Sequence, residues 1–524
     1  MIFSGYTKRD TSIVKGFAIL CIVFHNFFHW LPPSPGENEF DFSPSRVRVF
    51  FQLLGDRPSE IINICFSYLG YYGVQLFILI SGFGLAVSMM NHPKTWESFV
   101  FNRLKKFYPL LLIGLLTYFL GVVVMEGRLL NASEQKELVY KLLLVHTLIP
   151  GSELSLCGPW WFFGLIFQLY LLFPLLFRCI KKWGWKAFAA VCIFSYALIY
   201  VFSDGLNLYH GTVLMKNAPG HLPEFCLGIL LACSENKKIH WSWLVLAVIL
   251  FVWGNFTPGF YPFTFLSLCV IAVFVTQRWK SKSKRWKKAF RFPFSVFHYF
   301  GGLSMALFVV HGMFRKPVLS LEQWLDGSAW VHLLMGLIYF LIVWAVAVAV
   351  KRLYDIVCSW LDKIHIREGK TTRLMGRVSS VLFVMFFLAV AAYFVAQNIN
   401  RYDRDLPLSG LVRSGIVTQK TKYFAATTVD QRALTMRINA SFDICSQDTL
   451  SPLPSVALDV TDMFWMTFDI PKAYNTGETQ HYEFSYDYLI PFTKNVKNKP
   501  LHLYFWNPKG GKMSFENVKV TILY

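Results

Sequence analysis

The sequence predicts a polytopic α-helical membrane bundle of about ten or eleven spans, followed by an all-β domain of sandwich or jelly-roll type. Three observations carry that prediction. The chain of 524 residues is 55% hydrophobic and 16% charged, with a mean hydropathy of +0.42; soluble proteins average roughly 25% charged residues. Long apolar runs recur from the N-terminus to about residue 397. Beyond residue 400 they give way to short stretches that alternate with a period of two, the pattern of half-buried strands.

A spanning helix takes roughly 20 mostly apolar residues. Eleven stretches qualify, at about 12–31, 64–90, 107–125, 159–180, 186–203, 219–234, 241–257, 261–277, 294–314, 330–350 and 378–397. The stretch 219–234 is short and polar at its start, and 138–149 reads as a partial or re-entrant helix. Lys and Arg sort between alternate connections. The N-terminal end through Lys15 and the loops near 91–106, 178–186, 235–240, 278–293 and 351–377 hold 28; the opposite set holds 9. By the positive-inside rule the N-terminus is cytoplasmic, and an odd number of spans puts the C-terminus outside. The net charge of +20 is therefore mainly a topology signal, and nucleic acid is not expected as a partner.

The strand-like stretches include "ALTMRINASF", "FWMTFDI", "HYEFSYDYLI", "LHLYFWN" and "SFENVKVTILY". The expected division is a membrane domain at 1–397 and an extracytoplasmic β-sandwich at 398–524. From residue 400 onward, 14 Lys and Arg face 12 Asp and Glu, so that domain is nearly neutral. The ten cysteines show no paired or metal-like spacing, so neither a disulfide framework nor a metal site is expected. The first apolar run lacks a small-residue cleavage site and reads as a retained anchor.

The first span, "IVKGFAILCIVFHNFFHW" at 13–30, is where chemistry shows. Asp10, Thr11 or Ser12 can cap it. His25 and His29 lie about 40° apart on one helical face. Lys15 shares a similar offset with His29. His25 sits on the order of 20 Å above the cytoplasmic end. Ionisable groups at that depth usually face a bundle interior or a water-filled cavity. A neutral imidazole there can act as a general base or carry a proton. The plainer reading is a helix–helix hydrogen bond, or an interfacial ring beside Trp30 for His29.

Six segments in order resemble the acyltransferase-3 family of integral membrane acyltransferases. They are "VKGFAILCIVFH" (14–25), "GVQLFILISGF" (73–83), "RLKKFYP" (103–109), "WWFFGLIFQLYLLFP" (160–174), "HLPEFCLGILLA" (221–232) and "GGLSMALFVVHG" (301–312). The family commonly shows Arg, ten residues, then His; this chain has Lys15, nine residues, then His25. A glutamate often found in the family's "WFxxxE" segment aligns with Ile166. The resemblance implies an O-acyltransferase of cell-surface carbohydrate in the cytoplasmic (inner) membrane. It would pass an acyl group, usually acetyl, from cytoplasmic acyl-coenzyme A, a co-substrate with no bound cofactor, to a hydroxyl of an extracytoplasmic polysaccharide or glycolipid. A transporter of lipid-linked sugar or a polysaccharide polymerase is the alternative.

His25 is the expected catalytic residue. Lys15, His29, Arg103, Lys106, Tyr170, Glu224 and His311 are expected on substrate. Arg103 and Lys106 could hold coenzyme A phosphates or serve as ordinary positive-inside anchors. Tyr170, Trp160 and Trp161 could line a substrate tunnel or form an interfacial belt. Glu224, an acid at the start of a span, could meet substrate or pair with a charge. Ser81, Gly82 and Gly84 read as close helix packing. His146 and His210 read as solvated loop residues. "NAS" at Asn131 and Asn439 is a weak glycosylation motif. Tyr504 and Trp506 could stack on sugar, though alternate aromatics more often fill a sandwich core. Membrane lipids are the other expected partner, and the sequence leaves the oligomeric state open.

Overall fold

The computed structural model describes residues 7–363, apart from 35, 41, 127–128, 131, 150–151, 202–213, 235–238, 281–289 and 320–326, together with eight strands and residue 414 between 414 and 523. The expected span at 378–397, His210 and Asn131 lie outside the described residues. The chain forms two compact units, one of residues 1–148 and 152–384 and one containing 385–524.

Fourteen α-helices are described in the first unit. They are α1 (Lys8–Phe28), α2 (Pro44–Asp56), α3 (Ile61–Leu69), α4 (Gly73–Asn91), α5 (Trp96–Glu126), α6 (Ala132–Leu142), α7 (Trp161–Trp183), α8 (Trp185–Val201), α9 (Ala218–Cys233), α10 (Trp241–Gly254), α11 (Phe263–Lys280), α12 (Arg291–Val310), α13 (Arg315–Leu319) and α14 (Ala329–Lys363). Among the described residues, six helical stretches are long and apolar enough to cross a membrane: Lys8–Phe28, Pro58–Asn91, Trp96–Val124, Gly158–Trp183, Arg291–Met313 and Ala329–Ser359. Four shorter apolar helices, α8 to α11, lie between them. The chain is a multi-pass membrane protein, and its outer face shows it. Leu112, Leu116 and Leu120 recur every fourth residue of α5 and are exposed. So are Leu334, Leu337, Ile338 and Leu341 of α14. Such stripes suit lipid, which takes the place of a protein interior for outward-facing side chains.

α1 is the central element. It starts one turn earlier than its polar residues suggest. Thr7 is the cap: its Oγ1 accepts from Asp10 N at 3.2 Å, and Asp10 Oδ2 accepts from Thr7 N at 2.7 Å. That reciprocal pair satisfies two orphan donors at once, which Asp10, Thr11 or Ser12 as cap would not do. α1 packs along α12, α4 and α3. The expected span at 64–90 is two helices, α3 and α4, split by a 3₁₀ turn at Gly70–Tyr72. The break follows from a close crossing. A Cβ at Gly70 would stand 2.6 Å from His25 Cβ and 2.8 Å from the Cys21 carbonyl, so only glycine fits.

Buried polar groups tie the remaining helices together. Gln168 of α7 donates to Asn217 Oδ1 at 2.6 Å and to Thr147 Oγ1 at 3.1 Å. Its Oε1 accepts from Ala218 N at 2.8 Å, closing the first turn of α9. Trp160 and Trp161 do not form an interfacial belt. Both are buried, and Trp160 Nε1 donates to the Val309 carbonyl of α12 at 2.9 Å. His146 is not solvated either. It is fully buried, with Nε2 3.1 Å from the Trp160 carbonyl. Gly82 lies against the backbone of Phe225 in α9, where a side chain would collide.

The second unit holds strands β1 (Gly415–Val417), β2 (Ala425–Thr428), β3 (Thr435–Ser446), β4 (Ser455–Val460), β5 (Phe464–Asp469), β6 (Thr479–Leu489), β7 (Pro500–Trp506) and β8 (Met513–Leu523). They form two antiparallel sheets, ordered β1-β8-β3-β6 and β2-β7-β4-β5. The sheets meet through aromatic rings: Phe505 of β7 lies 5.0 Å from Phe442 of β3 and 4.6 Å from Phe515 of β8. Tyr504, the next residue of β7 and so on the opposite face of its sheet, is buried as well.

Candidate active site

His25 is 2% exposed and held from both sides. Its Nδ1 lies 3.1 Å from the Phe66 carbonyl of α3, and its Nε2 lies 2.6 Å from Glu37 Oε2. A ring nitrogen facing a carbonyl is favourable only as N–H, so Nδ1 carries a proton and Nε2 is the working atom. His29 follows one turn later. Its ring stacks on His25 at 4.9 Å, and its Nδ1 lies 2.7 Å from the His25 carbonyl.

Glu37 was not singled out by the sequence, because a carboxylate in a loop after a span looks solvated. The structure folds that loop back over the end of α1. Arg46 Nη1 donates to the Glu37 carbonyl at 2.6 Å and to Asn38 Oδ1 at 3.3 Å. Asn38 Nδ2 donates to Tyr68 Oη at 3.2 Å, and Ser34 Oγ pairs with Ser67 Oγ at 2.9 Å. The loop is thus pinned to α3, the helix whose carbonyl orients His25. Burial pushes the Glu37 carboxyl up, but its neighbours His29, His25 and Arg46 outweigh it and hold the group below the usual carboxylate range. Glu39 goes the other way: burial and the Glu37 charge raise it well above that range, against the pull of Lys216. Two neighbouring carboxyls driven apart in this manner mark an acid–base site.

Two further groups close the site. His311 is fully buried, with Nδ1 2.8 Å from the Phe308 carbonyl and Nε2 without a hydrogen-bond partner among the described residues. The turn that carries it packs on α1. Arg315, also missed in the sequence, places its guanidinium 4.7 Å over the Trp30 ring and within electrostatic reach of His29 and His311. The His25, His29 and Glu37 ligand atoms lie within 4.8 Å of one another, so these three could also hold a divalent ion.

Other expected residues lie elsewhere. Lys15 is ten residues before His25, about 15 Å along α1. Glu224 is 1% exposed and pairs with His221 Nδ1 at 3.4 Å. His221 lies between the rings of Trp161 and Phe265, at 5.9 and 5.8 Å. Arg103 and Tyr170 do come together, beside Ser81. Arg103 stacks over Phe99 at 5.4 Å, and its Nε is buried with no hydrogen-bond partner among the described residues. Lys106 is exposed, and its carbonyl accepts from Tyr354 Oη at 3.0 Å. Tyr354 sits near one end of α14, whereas Gly336, toward the other end, touches the Phe28 ring beside His25. Eighteen residues separate Tyr354 from Gly336, about 27 Å of helix. The cations and His25 therefore occupy opposite ends of the bundle.

A family model described as an acyltransferase domain matches residues 12–351. The chain is also 35% identical over 136 residues to the acyltransferase MdmB of Streptomyces mycarofaciens. That alignment covers 25% of this chain and 34% of MdmB, so the chain spans about a third of that relative's length. No solved structure matches. The family match covers well over half of the chain, and the chain belongs to the acyltransferase-3 family.

Proposed function

We propose that this protein transfers an acyl group, acetyl being the expected one, from cytoplasmic acyl-coenzyme A to a hydroxyl of an extracytoplasmic polysaccharide or glycolipid. The observation that carries this reading is the pair of buried His25 and half-buried Glu37 at the end of the bundle opposite Arg103. The positive-inside count supports reading Arg103 and Lys106 as cytoplasmic, on the side where coenzyme A is available. Arg103 and Lys106 then hold the donor's phosphates, with Tyr170 beside them. The acceptor oxygen attacks the thioester carbonyl, the carbon–sulfur bond breaks, and the hydroxyl's proton passes through the His25–Glu37 pair toward the leaving thiolate. Arg315 supplies positive charge where the oxyanion develops. His311 and His29 line the acceptor's approach.

The strand orders β1-β8-β3-β6 and β2-β7-β4-β5 support reading the second unit as a jelly roll, a fold used by lectins. We read it as an outer domain that presents carbohydrate. The test uses protein purified in detergent. Acetyl-coenzyme A binding and hydrolysis are measured for wild type, His25→Ala and Arg103→Ala. Turnover should vanish with His25, and binding should weaken with Arg103. Full turnover by a folded His25→Ala protein would end the assignment.

A further inference from the structure

The end of the bundle that holds His25 carries a second buried histidine–carboxylate pair. Glu60 stands just before α3 and is 6% exposed; His332, in the first turn of α14, is 3% exposed. His332 Nδ1 lies 2.8 Å from Glu60 Oε1. Asn63 Nδ2 donates to Glu60 Oε2 at 3.4 Å and to the Pro32 carbonyl at 3.5 Å. One carboxylate thus orients two neighbours.

Each contact leaves an acceptor bare. With the proton on Nδ1, His332 Nε2 is a lone pair. With its amide nitrogen turned to Glu60, Asn63 presents Oδ1. Both atoms are buried and lack a hydrogen-bond partner among the described residues. Native structures keep few such groups, and each one calls for a partner. Two fixed acceptors with no donor suit a ligand that brings two hydroxyl groups.

The pair also lies where an acceptor would reach. Asn63 is one turn before Phe66, whose carbonyl orients His25. Three residues of helix are about 4.5 Å of rise. Gly336, one turn after His332, touches the Phe28 ring of α1. The second pair therefore stands beside the reacting histidine, but not on it.

We propose that His332 Nε2 and Asn63 Oδ1 form an acceptor subsite that receives two neighbouring hydroxyls of a pyranose ring. The proposal rests on the acyltransferase reading above and names the class of acceptor. His332 and Asn63 are then specificity residues, and Glu60 is the positioning residue that orients both.

The test uses the full chain in detergent with radiolabelled acetyl-coenzyme A. The acceptor probes are the methyl glycosides of glucose, galactose and mannose. His332→Gln keeps a donor for Glu60 but moves the acceptor atom; Asn63→Leu removes the other acceptor. Both variants should raise the KM for glycoside at least tenfold. The kcat and the acceptor-free hydrolysis of acetyl-coenzyme A should stay within twofold. An unchanged glycoside KM in both would overturn the subsite, leaving a water-filled structural pair. Parallel loss of acceptor-free hydrolysis and of thermal stability would also overturn it, in favour of a packing role. Wild-type protein that hydrolyses acetyl-coenzyme A but acylates none of the glycosides would refute the pyranose assignment and leave the donor chemistry standing. No acetyl-coenzyme A turnover by wild type would remove the underlying reading and the subsite with it.

Discussion

Gly70→Ala tests the active site through packing alone, since Gly70 has no chemistry to lose. The added methyl would stand 2.6 Å from His25 Cβ, 2.8 Å from the Cys21 carbonyl and 3.3 Å from His25 Cα. Carbon atoms pack best at about 3.5–4.0 Å, so the methyl and His25 must separate by about 1 Å. His25 cannot yield freely, because its ring is held between the Phe66 carbonyl and Glu37. Overpacking of this kind costs about 1–3 kcal/mol of stability. A displacement of about 1 Å at a reacting group costs on the order of 100-fold in rate. Acetyl-coenzyme A turnover should therefore fall about 100-fold, while the melting temperature in detergent drops only a few degrees. Gly84→Ala is the control, since nothing lies within 4 Å of its Cβ position; it should leave both quantities near wild type. Gly70→Ala protein with turnover within twofold of wild type would show that rate does not depend on where His25 sits, and the site assignment would fall.

Arg315→Gln removes the charge beside His29 and His311. It should lower kcat about 100-fold, as loss of an oxyanion donor does, with the KM for acetyl-coenzyme A near wild type; an unchanged kcat would exclude Arg315 from the site. Lys141 of α6 gives a pH signature. Burial pushes its ammonium down from 10.5 to about 8, despite the nearby carboxylates of Glu137 and Glu153. Between about pH 8 and 10.5 the unfolded chain then binds more protons than the fold, so stability rises with pH. The melting temperature of wild type relative to Lys141→Met should climb between pH 7.5 and 10, and a flat difference would show that Lys141 is not buried as an ammonium.

Most of the helical plan was legible because lipid demands long apolar runs, which leave little ambiguity. Ten of the eleven expected spans lie among the described residues, and each corresponds to a helix or a split helix there. The split at Gly70–Tyr72 was not legible. It depends on how closely α1 passes, and apolar periodicity does not record the neighbour. His25 stood out because a histidine inside an apolar run is costly wherever it points. Glu37, Glu60 and Arg315 did not stand out. They come from loops or helix starts, where charges are ordinary, and only the folding of those segments onto α1, α3 and α14 buries Glu60 and leaves Glu37 and Arg315 half-buried. His146 failed for the same reason in reverse: its loop position suggested solvent, but it is buried against the Trp160 carbonyl at the start of α7. The signal that could have pointed to Glu37 was its place in "ENE", two carboxylates shortly after a histidine-bearing span.

The position of the proton at His25 decides what Glu37 does. Nδ1 faces the Phe66 carbonyl at 3.1 Å and Nε2 faces the Glu37 carboxylate at 2.6 Å. Two bare acceptors would repel at that distance, so the pair must share a proton between Nε2 and Oε2. A pair that already holds its proton cannot take another at Nε2. If His25 is the base, that proton must first leave, with the carboxylate steadying the charge that returns. If His25 carries the acyl group instead, Nε2 is occupied, and Glu37 is the carboxylate placed to take the hydroxyl's proton. Either route needs an ionisable group at position 37. Glu37→Gln keeps the size and one hydrogen bond but cannot accept a proton. Acyl transfer should fall about 10²- to 10⁴-fold, the range for loss of general-base catalysis, with acetyl-coenzyme A binding unchanged. Glu37→Asp should recover part of the rate. Transfer by Glu37→Gln at the wild-type rate would show that His25 handles the proton alone and that Glu37 only holds the loop in place.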